Sequence, residues 1–370
     1  MPIGPTSGEK SPELISQRLI SLDALRGFDM CWILGLAGVV KALWKRFQIP
    51  GGNVIEDQLE HVRWDGFHFY DLIFPLFLFI AGVSLAIALP KHVARHGMAV
   101  TIRKLVLRAV ILFLLGVFYS GGLQKGWDQV RWLGVLQRIA LGSCFAGLLS
   151  LWLSPRGLLI SFVVLLAGYW ALLTFVPVPE FGAGNYAEGK NLTNYLDRLW
   201  LPGHKYDGDH DPEGILSTLP AIATALLGIL AGKWILEPAS PSRKGVLLMA
   251  AGAALVVLGL LWGMQFPVIK KIWSSSFVLV AGGWSALLLG AFYLIIEVGG
   301  IRWWTAPFVW VGANPILLYV CAGLGFFRLI GERLVGPVGH DWNWVPAAVN
   351  FALVLLVARF LYRRSIFLRV

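Results

Sequence analysis

The chain has 370 residues, of which 57% are apolar and 14% charged, and its formal charge is +10. Soluble domains carry roughly 25% charged residues, so this chain lacks the polar surface needed to coat a water-facing globule, and its mean hydropathy of +0.70 assigns it to a bilayer. In that setting the excess of Lys and Arg reflects loop bias and attraction to anionic headgroups, and no nucleic-acid partner is expected.

Residues 1–18 are polar and rich in Pro, Gly and Ser. They lack the apolar stretch and small-residue cleavage site of a secretory signal, so they read as a tail that leaves the first membrane helix attached. Residues 19–370 read as one transmembrane domain. Apolar stretches of the length that crosses a hydrocarbon core of about 30 Å lie at 19–39, 70–90, 104–121, 133–153, 157–176, 215–236, 245–263, 277–297, 307–330 and 344–362. The expected fold is therefore all-α: a polytopic membrane protein of about ten transmembrane helices in one bundle.

An even number of crossings puts both termini on one side. The short loops on that side carry Lys91, Arg95, Arg103, Lys104, Arg156, Arg243, Lys244 and Arg302, and the tail carries Arg363, Arg364 and Arg369. Across the membrane, the long loop 177–214 holds seven carboxylates against three Lys or Arg. The bias of Lys and Arg toward the cytoplasm then places both termini there and the loop 40–69 outside. Loop 177–214 shows no amphipathic period and reads as an ordered cap or a flexible linker.

Ionisable groups inside a span cost about 2.5–3.5 kcal/mol each, so they normally face a partner or a cavity. Asp23, Arg26 and Asp29 recur at i, i+3, i+6 and share one face of the first helix. That trio is either a self-neutralising bridge or an anion site. Gln137 and Arg138 open the fourth span, and a planar guanidinium there suits a carboxylate, a phosphate or a developing oxyanion. Asn314-Pro315 interrupts the ninth span and frees backbone carbonyls. Cys31, Cys144 and Cys321 are scattered and read as small buried hydrophobes. His92 and His96 sit four apart in a basic loop with no carboxylate, a poor metal site.

The segment from His61 to Pro75 concentrates the chemistry: His61, Arg63, Trp64, Asp65, His68, Tyr70 and Asp71 lie just before the second span. Asp71 can cap that helix, and its aromatic residues can form an interfacial belt. No phosphate-binding, nucleophile-elbow, zinc-helix or dinucleotide fingerprint occurs in a plausible context. Nucleotide hydrolysis and metal-dependent hydrolysis are thus poorly supported, and a sugar or amino-sugar permease is the main alternative to an enzyme.

The same residues resemble the heparan-alpha-glucosaminide N-acetyltransferase family of transmembrane acyltransferases. The similar blocks are Arg18 to Gly27, His61 with Trp64 and Gly66, Asp71 to Pro75, Gly134 to Arg138, Tyr206 with Asp211 to Leu216, Trp273 to Tyr293, Pro307 to Tyr319, and Leu361 to Phe367. The resemblance implies transfer of acetyl from cytoplasmic acetyl-CoA to an amino sugar or glycan on the far side, with His61 in the position of the family's essential histidine. One departure is Asp65-Gly66, where the family pattern is commonly Asn-Gly. The large luminal domain of the animal enzyme is not expected before the first span. A homodimer is implied by the resemblance, although small residues such as Gly282-Gly283 can equally pack helices within one chain.

Acyl transfer from a thioester needs positioning, a base and donors for the developing oxyanion, but no metal. His61 is the expected base, with Asp65 or Asp71 orienting its ring. Arg26, Gln137, Arg138 and Asn314 are expected to contact the coenzyme, and Trp64, Asp211 and Glu213 the acceptor. The short chain suggests a bacterial inner membrane, with the His61 loop periplasmic.

Overall fold

The structure is a computed structural model describing residues 19–47, 52–122, 124, 126–336 and 344–368, and apart from isolated bridges every regular element in it is helical. The polar tail 1–18 lies outside the described residues. In chain order the helices are α1 (Ile20–Cys31), α2 (Ala37–Phe47), α3 (Gly52–Gln58), α4 (Phe69–His96), α5 (Met98–Tyr119), α6 (Val135–Trp152), α7 (Pro155–Phe175) and α8 (Leu192–Trp200). They continue with α9 (Thr218–Leu236), α10 (Pro241–Gly263), α11 (Ser275–Tyr293), α12 (Ala306–Ala313), α13 (Pro315–Gly323), α14 (Phe326–Val335) and α15 (Trp344–Arg363).

Among the described residues eight helices are long and apolar enough to cross a membrane, or up to nine if the bent pair α12 and α13 forms one span. Two of the ten expected spans account for the difference. The stretch 104–121 is helical as α5, but Arg103, Lys104 and Arg108 make it too charged to count as a simple apolar crossing. The stretch 307–330 is not one rod. It bends by 78° between α12 and α13, because Asn314 leaves helical geometry at φ −134°, ψ 51° and Pro315 cannot continue the hydrogen-bond ladder. The first span is longer than expected: α1 and α2 join through a wide turn at Trp32–Leu36, where Gly35 takes φ 127°.

Lipid-facing and core-facing surfaces are both apolar, so burial rather than hydrophobicity separates them. Leu159, Ile160, Val163 and Val164 of α7 and Val257, Leu258, Leu260 and Leu261 of α10 point outward, while Leu76, Leu78, Phe79, Ala225, Leu226 and Phe277 are buried. Close helix contact falls to small residues. A Cβ on Gly82 would overlap the Ala225 carbonyl and one on Gly228 the Phe79 carbonyl, so α4 and α9 touch backbone to backbone. Gly252 and Gly283 do the same for α10 and α11, which shows Gly283 packing inside this chain.

The loop expected as a cap or linker is an ordered cap. Val178 and Leu192 join Tyr169, Leu173, Phe266, Ile269 and Ile272 in a separate apolar cluster. The cap contains α8, for which no amphipathic period was expected. That expectation is corrected: Leu192, Tyr195, Leu196, Leu199 and Trp200 recur at i, i+3, i+4, i+7 and i+8, a signal only nine residues long within a polar loop, and it is the polar Thr193, Asn194 and Asp197 that are buried with Leu192 while Leu199 and Trp200 are exposed.

Candidate functional site

At one end of the bundle three ionisable side chains converge. Asp71 lies in the first turn of α4 and is buried, and its two oxygens have separate roles. Oδ2 accepts hydrogen bonds from the backbone N–H groups of His68 at 3.0 Å and Val62 at 3.3 Å, closing the start of α4. Oδ1 lies 2.8 Å from His61 Nδ1. Capping and ring orientation, read from the sequence as alternatives, are performed by the same carboxylate. The His61 side chain is 51% exposed and lies against Tyr70, with ring centroids 4.9 Å apart.

The third member is Lys270, from the loop joining α10 to α11. Its Nζ lies 2.8 Å from His61 Nδ1, 3.2 Å from His61 Nε2 and 3.4 Å from Asp71 Oδ1. The loop is held there by backbone pairing: Asp65 bridges Ile269 in antiparallel fashion, and the Gly66 N–H donates to the Val268 carbonyl at 2.9 Å. Asp65 thus serves the site through its main chain, and the carboxylate that meets the imidazole is Asp71. Burial holds the Lys270 ammonium below the ordinary lysine range, although Asp71 and Glu213 pull it back upward. Sequence reasoning missed Lys270 because nothing local marks Lys270-Lys271 as more than a basic loop. The signal that could have found it is Trp273, already noted, three residues further on.

Below this cluster Trp273 is buried, with Phe74 against its ring at 5.0 Å and its Nε1–H donating to Thr224 Oγ1 at 3.1 Å. Arg138 stacks on the ring, its guanidinium carbon 4.9 Å from the centroid. Arg138 Nη2 donates to the Gly214 carbonyl at 3.3 Å and to Ser217 Oγ, while its Nε and Nη1 are buried without a hydrogen-bond partner. Gln137, also buried, donates to the Arg131 carbonyl at 3.4 Å.

Asp211 and Glu213, expected to contact the acceptor, are buried around Arg131. Arg131 makes a bidentate pair with Asp211 at 2.8 and 2.7 Å and reaches Glu213 at 2.6 Å, with its guanidinium over the Tyr206 ring. Burial pushes Asp211 up, but Arg131 outweighs this and holds it below the usual carboxylate range. Glu213 is raised, chiefly by burial. Asp197 lies beneath them, accepting from the Ile215 N–H at 2.8 Å and the Asp211 N–H at 3.4 Å. Burial lifts it to about 6. Four charged groups, Arg131, Asp211, Glu213 and Asp197, in contact with one another or with shared backbone make this a structural lock, so neither Asp211 nor Glu213 offers a free oxygen pair to a ligand.

The remaining expected residues lie apart. Trp64 donates its Nε1–H to the Tyr186 carbonyl at 3.1 Å, pinning the His61 loop to the cap. Arg26 bonds Asp23 at 3.2 Å, Ser84 Oγ at 2.7 Å and the Gly312 carbonyl at 3.3 Å, tying α1 to α4 and α12. Asp29 does not join them: its carboxylate is buried with neither oxygen hydrogen-bonded, so the expected trio is a pair. Asn314 spends its amide on the chain end, donating to the Ile366 carbonyl and accepting from the Leu368 N–H, both at 2.8 Å. Glu188, Asp207 and His210 bring three ligand atoms within 4.8 Å of one another. Lys271 lies between the two carboxylates at 2.7 and 3.1 Å, so that group carries its own cation.

An all-α polytopic membrane protein with a His–Asp pair and a lysine amine at one end of its bundle is the class that fold and site define. No protein-family model matches the chain. It is 29% identical to the human (Homo sapiens) heparan-alpha-glucosaminide N-acetyltransferase over 374 residues and 28% identical to the mouse (Mus musculus) protein of the same name over 377. Each match covers 84% of this chain and 56% of the relative, so the chain spans little more than half the length of these curated proteins. These two relatives support membership of the heparan-alpha-glucosaminide N-acetyltransferase family.

Proposed function

We propose that the protein is a membrane acetyltransferase that moves acetyl from acetyl-CoA to the amine of an amino sugar, with His61 as general base. The observation that carries this reading is the His61–Asp71 contact of 2.8 Å beside an amine nitrogen 3.2 Å from His61 Nε2. With its Nδ1–H donated to Asp71, the imidazole keeps its Nε2 lone pair for a proton, and the Lys270 amine packed against the ring, 2.8 Å from Nδ1 and 3.2 Å from Nε2, marks room for an amine beside it. An acceptor amine entering there loses a proton to Nε2 as it attacks the thioester carbonyl. The new C–N bond forms, the C–S bond breaks, and the coenzyme leaves as its thiol.

Among the residues expected on the coenzyme, Arg138 is assigned to it because two of its nitrogens, Nε and Nη1, are unpartnered beside Trp273. Donors held in a buried setting are worth most where charge develops. Arg26 is proposed for the opposite end of the bundle, nearer the coenzyme's phosphates. In this reading both termini are cytoplasmic, the His61 end is exoplasmic, and the setting is a bacterial inner membrane.

The test is incubation of the purified full chain in lipid nanodiscs with radiolabelled acetyl-CoA and a panel of amino sugars. Acetylated product is expected from the wild type. His61→Ala is expected to lose about 100-fold or more in turnover while acetyl-CoA still binds. Sugar flux in proteoliposomes without acetyl-CoA, with no acetylated product, would replace the enzyme by a permease. With both substrates varied, intersecting reciprocal plots support direct transfer, and parallel ones support an acetyl-histidine relay.

A further inference from the structure

Lys270 is a primary amine in the place where the reaction needs one. Its Nζ is 3.2 Å from the nitrogen that takes the acceptor's proton, and its side chain is 21% exposed, with most of its length covered by the loop and by α4. Burial favours the neutral amine, the nucleophilic form, over the ammonium. Two other lysines are tied up in ion pairs with carboxylates. Lys45 is on the surface in an ion pair with Glu56, and Lys271 is neutralised by Glu188 and Asp207. Lys270 is also anchored rather than free to swing away, since Ile269 is tied to Asp65 and Trp273 is buried on Phe74.

We propose that the protein acetylates its own Lys270 when no acceptor occupies the site, and that this modification silences it. The inference rests on the acetyltransferase reading above. Lys270 Nζ attacks the thioester carbonyl of acetyl-CoA, His61 Nε2 takes the proton from Nζ, the C–N amide bond forms, and the C–S bond breaks to release the coenzyme as a thiol. No oxidant or further reactant is needed. The resulting acetamide resembles the product of normal turnover, has no charge to pair with Asp71, and remains tethered beside His61 where the acceptor must enter. The amide is stable, so the step is a dead end and not a relay.

The experiment uses the full chain in nanodiscs with isotopically labelled acetyl-CoA, followed by proteolysis and mass spectrometry of each lysine. Lys270 is expected to label about 100-fold faster than the exposed Lys45 and Lys190, the margin that general-base catalysis supplies. Adding glucosamine should suppress Lys270 labelling and leave the exposed lysines unchanged. His61→Ala should remove the excess labelling at Lys270 alone, and turnover of wild type pre-incubated without acceptor should fall in step with Lys270 occupancy. Wild type that acetylates glucosamine while Lys270 labels no faster than Lys45 overturns self-acetylation and leaves the acetyltransferase reading standing. Absence of both glucosamine acetylation and Lys270 labelling overturns the two together.

Discussion

Asp71 shows how one buried carboxylate couples local folding to chemistry. Its Oδ2 closes the start of α4 and its Oδ1 fixes the His61 ring, so Asp71→Asn disturbs both. An amide oriented to accept from the backbone presents its NH₂ to His61 Nδ1, which then acts as acceptor and leaves Nε2 protonated. Turnover of Asp71→Asn is expected to fall about 100-fold or more, with acetyl-CoA affinity nearly unchanged, as initial rates and a binding isotherm would show. Removing one partner of the Arg131 lock has a different result. Asp211→Asn leaves a buried guanidinium with one carboxylate in place of two, and a loss of about 3 kcal/mol is expected, read as a lower unfolding temperature in detergent. Asp197 gives the pH dependence its sign. Its folded pKa of about 6 exceeds the ordinary 3.8, so the unfolded chain releases the proton first and the contribution to stability is fully present only below pH 4. That contribution is lost as the pH rises through 6, at about 1.4 kcal/mol per unit. Asp197→Asn should flatten this segment of the stability profile, which unfolding measured at pH 4, 5 and 7 would reveal.

Helices were legible in the sequence wherever a run of apolar residues was long enough, because lipid demands such a run whichever way the helix faces. What composition could not reveal is which side of each helix faces protein, since Leu258 outside and Leu226 inside look alike. The glycines carry that information. Gly82→Val would force α4 from the Ala225 carbonyl of α9, and overpacking of this kind costs about 1–3 kcal/mol or more. The expected outcome is a thermally weakened protein with its helix content intact, measured by circular dichroism against melting temperature. Asn314-Pro315 was legible as a helix break, but not as a 78° bend, because the backbone conformation that Asn314 takes there is not written in the residue types. At the site, His61 and Asp71 were legible because they lie ten residues apart on one segment. Lys270 was not, because a lysine in a polar loop acquires meaning only when a distant loop pairs with its neighbours. Asp211 and Glu213 were found but misassigned: a pair of carboxylates reads as a cation grip until Arg131 is placed between them.

Orientation belongs to the whole molecule. Basic residues such as Lys91, Arg95 and Arg243 cluster at the ends of helices remote from His61, whereas the cap beside His61 is acidic. Single cysteines placed at Lys190 and at Arg243 in a cysteine-free background should react with a membrane-impermeant maleimide from opposite faces of sealed vesicles. In right-side-out bacterial vesicles Lys190→Cys is expected to label and Arg243→Cys to stay protected. The reverse pattern would invert the route proposed for acetyl.

The pairing of His61 with Lys270 joins positions 209 residues apart in the chain, and between them lie α4 through α10. A nascent polypeptide emerging from the insertion machinery therefore carries its histidine long before the lysine loop exists. Until α10 has entered the bilayer and the Asp65–Ile269 bridge has closed, the imidazole lacks its amine neighbour and the floor provided by Trp273. On the proposed mechanism the site is complete only in the last third of biogenesis, when Trp273 closes its floor, so a product terminated before that point is expected to be inserted and inert.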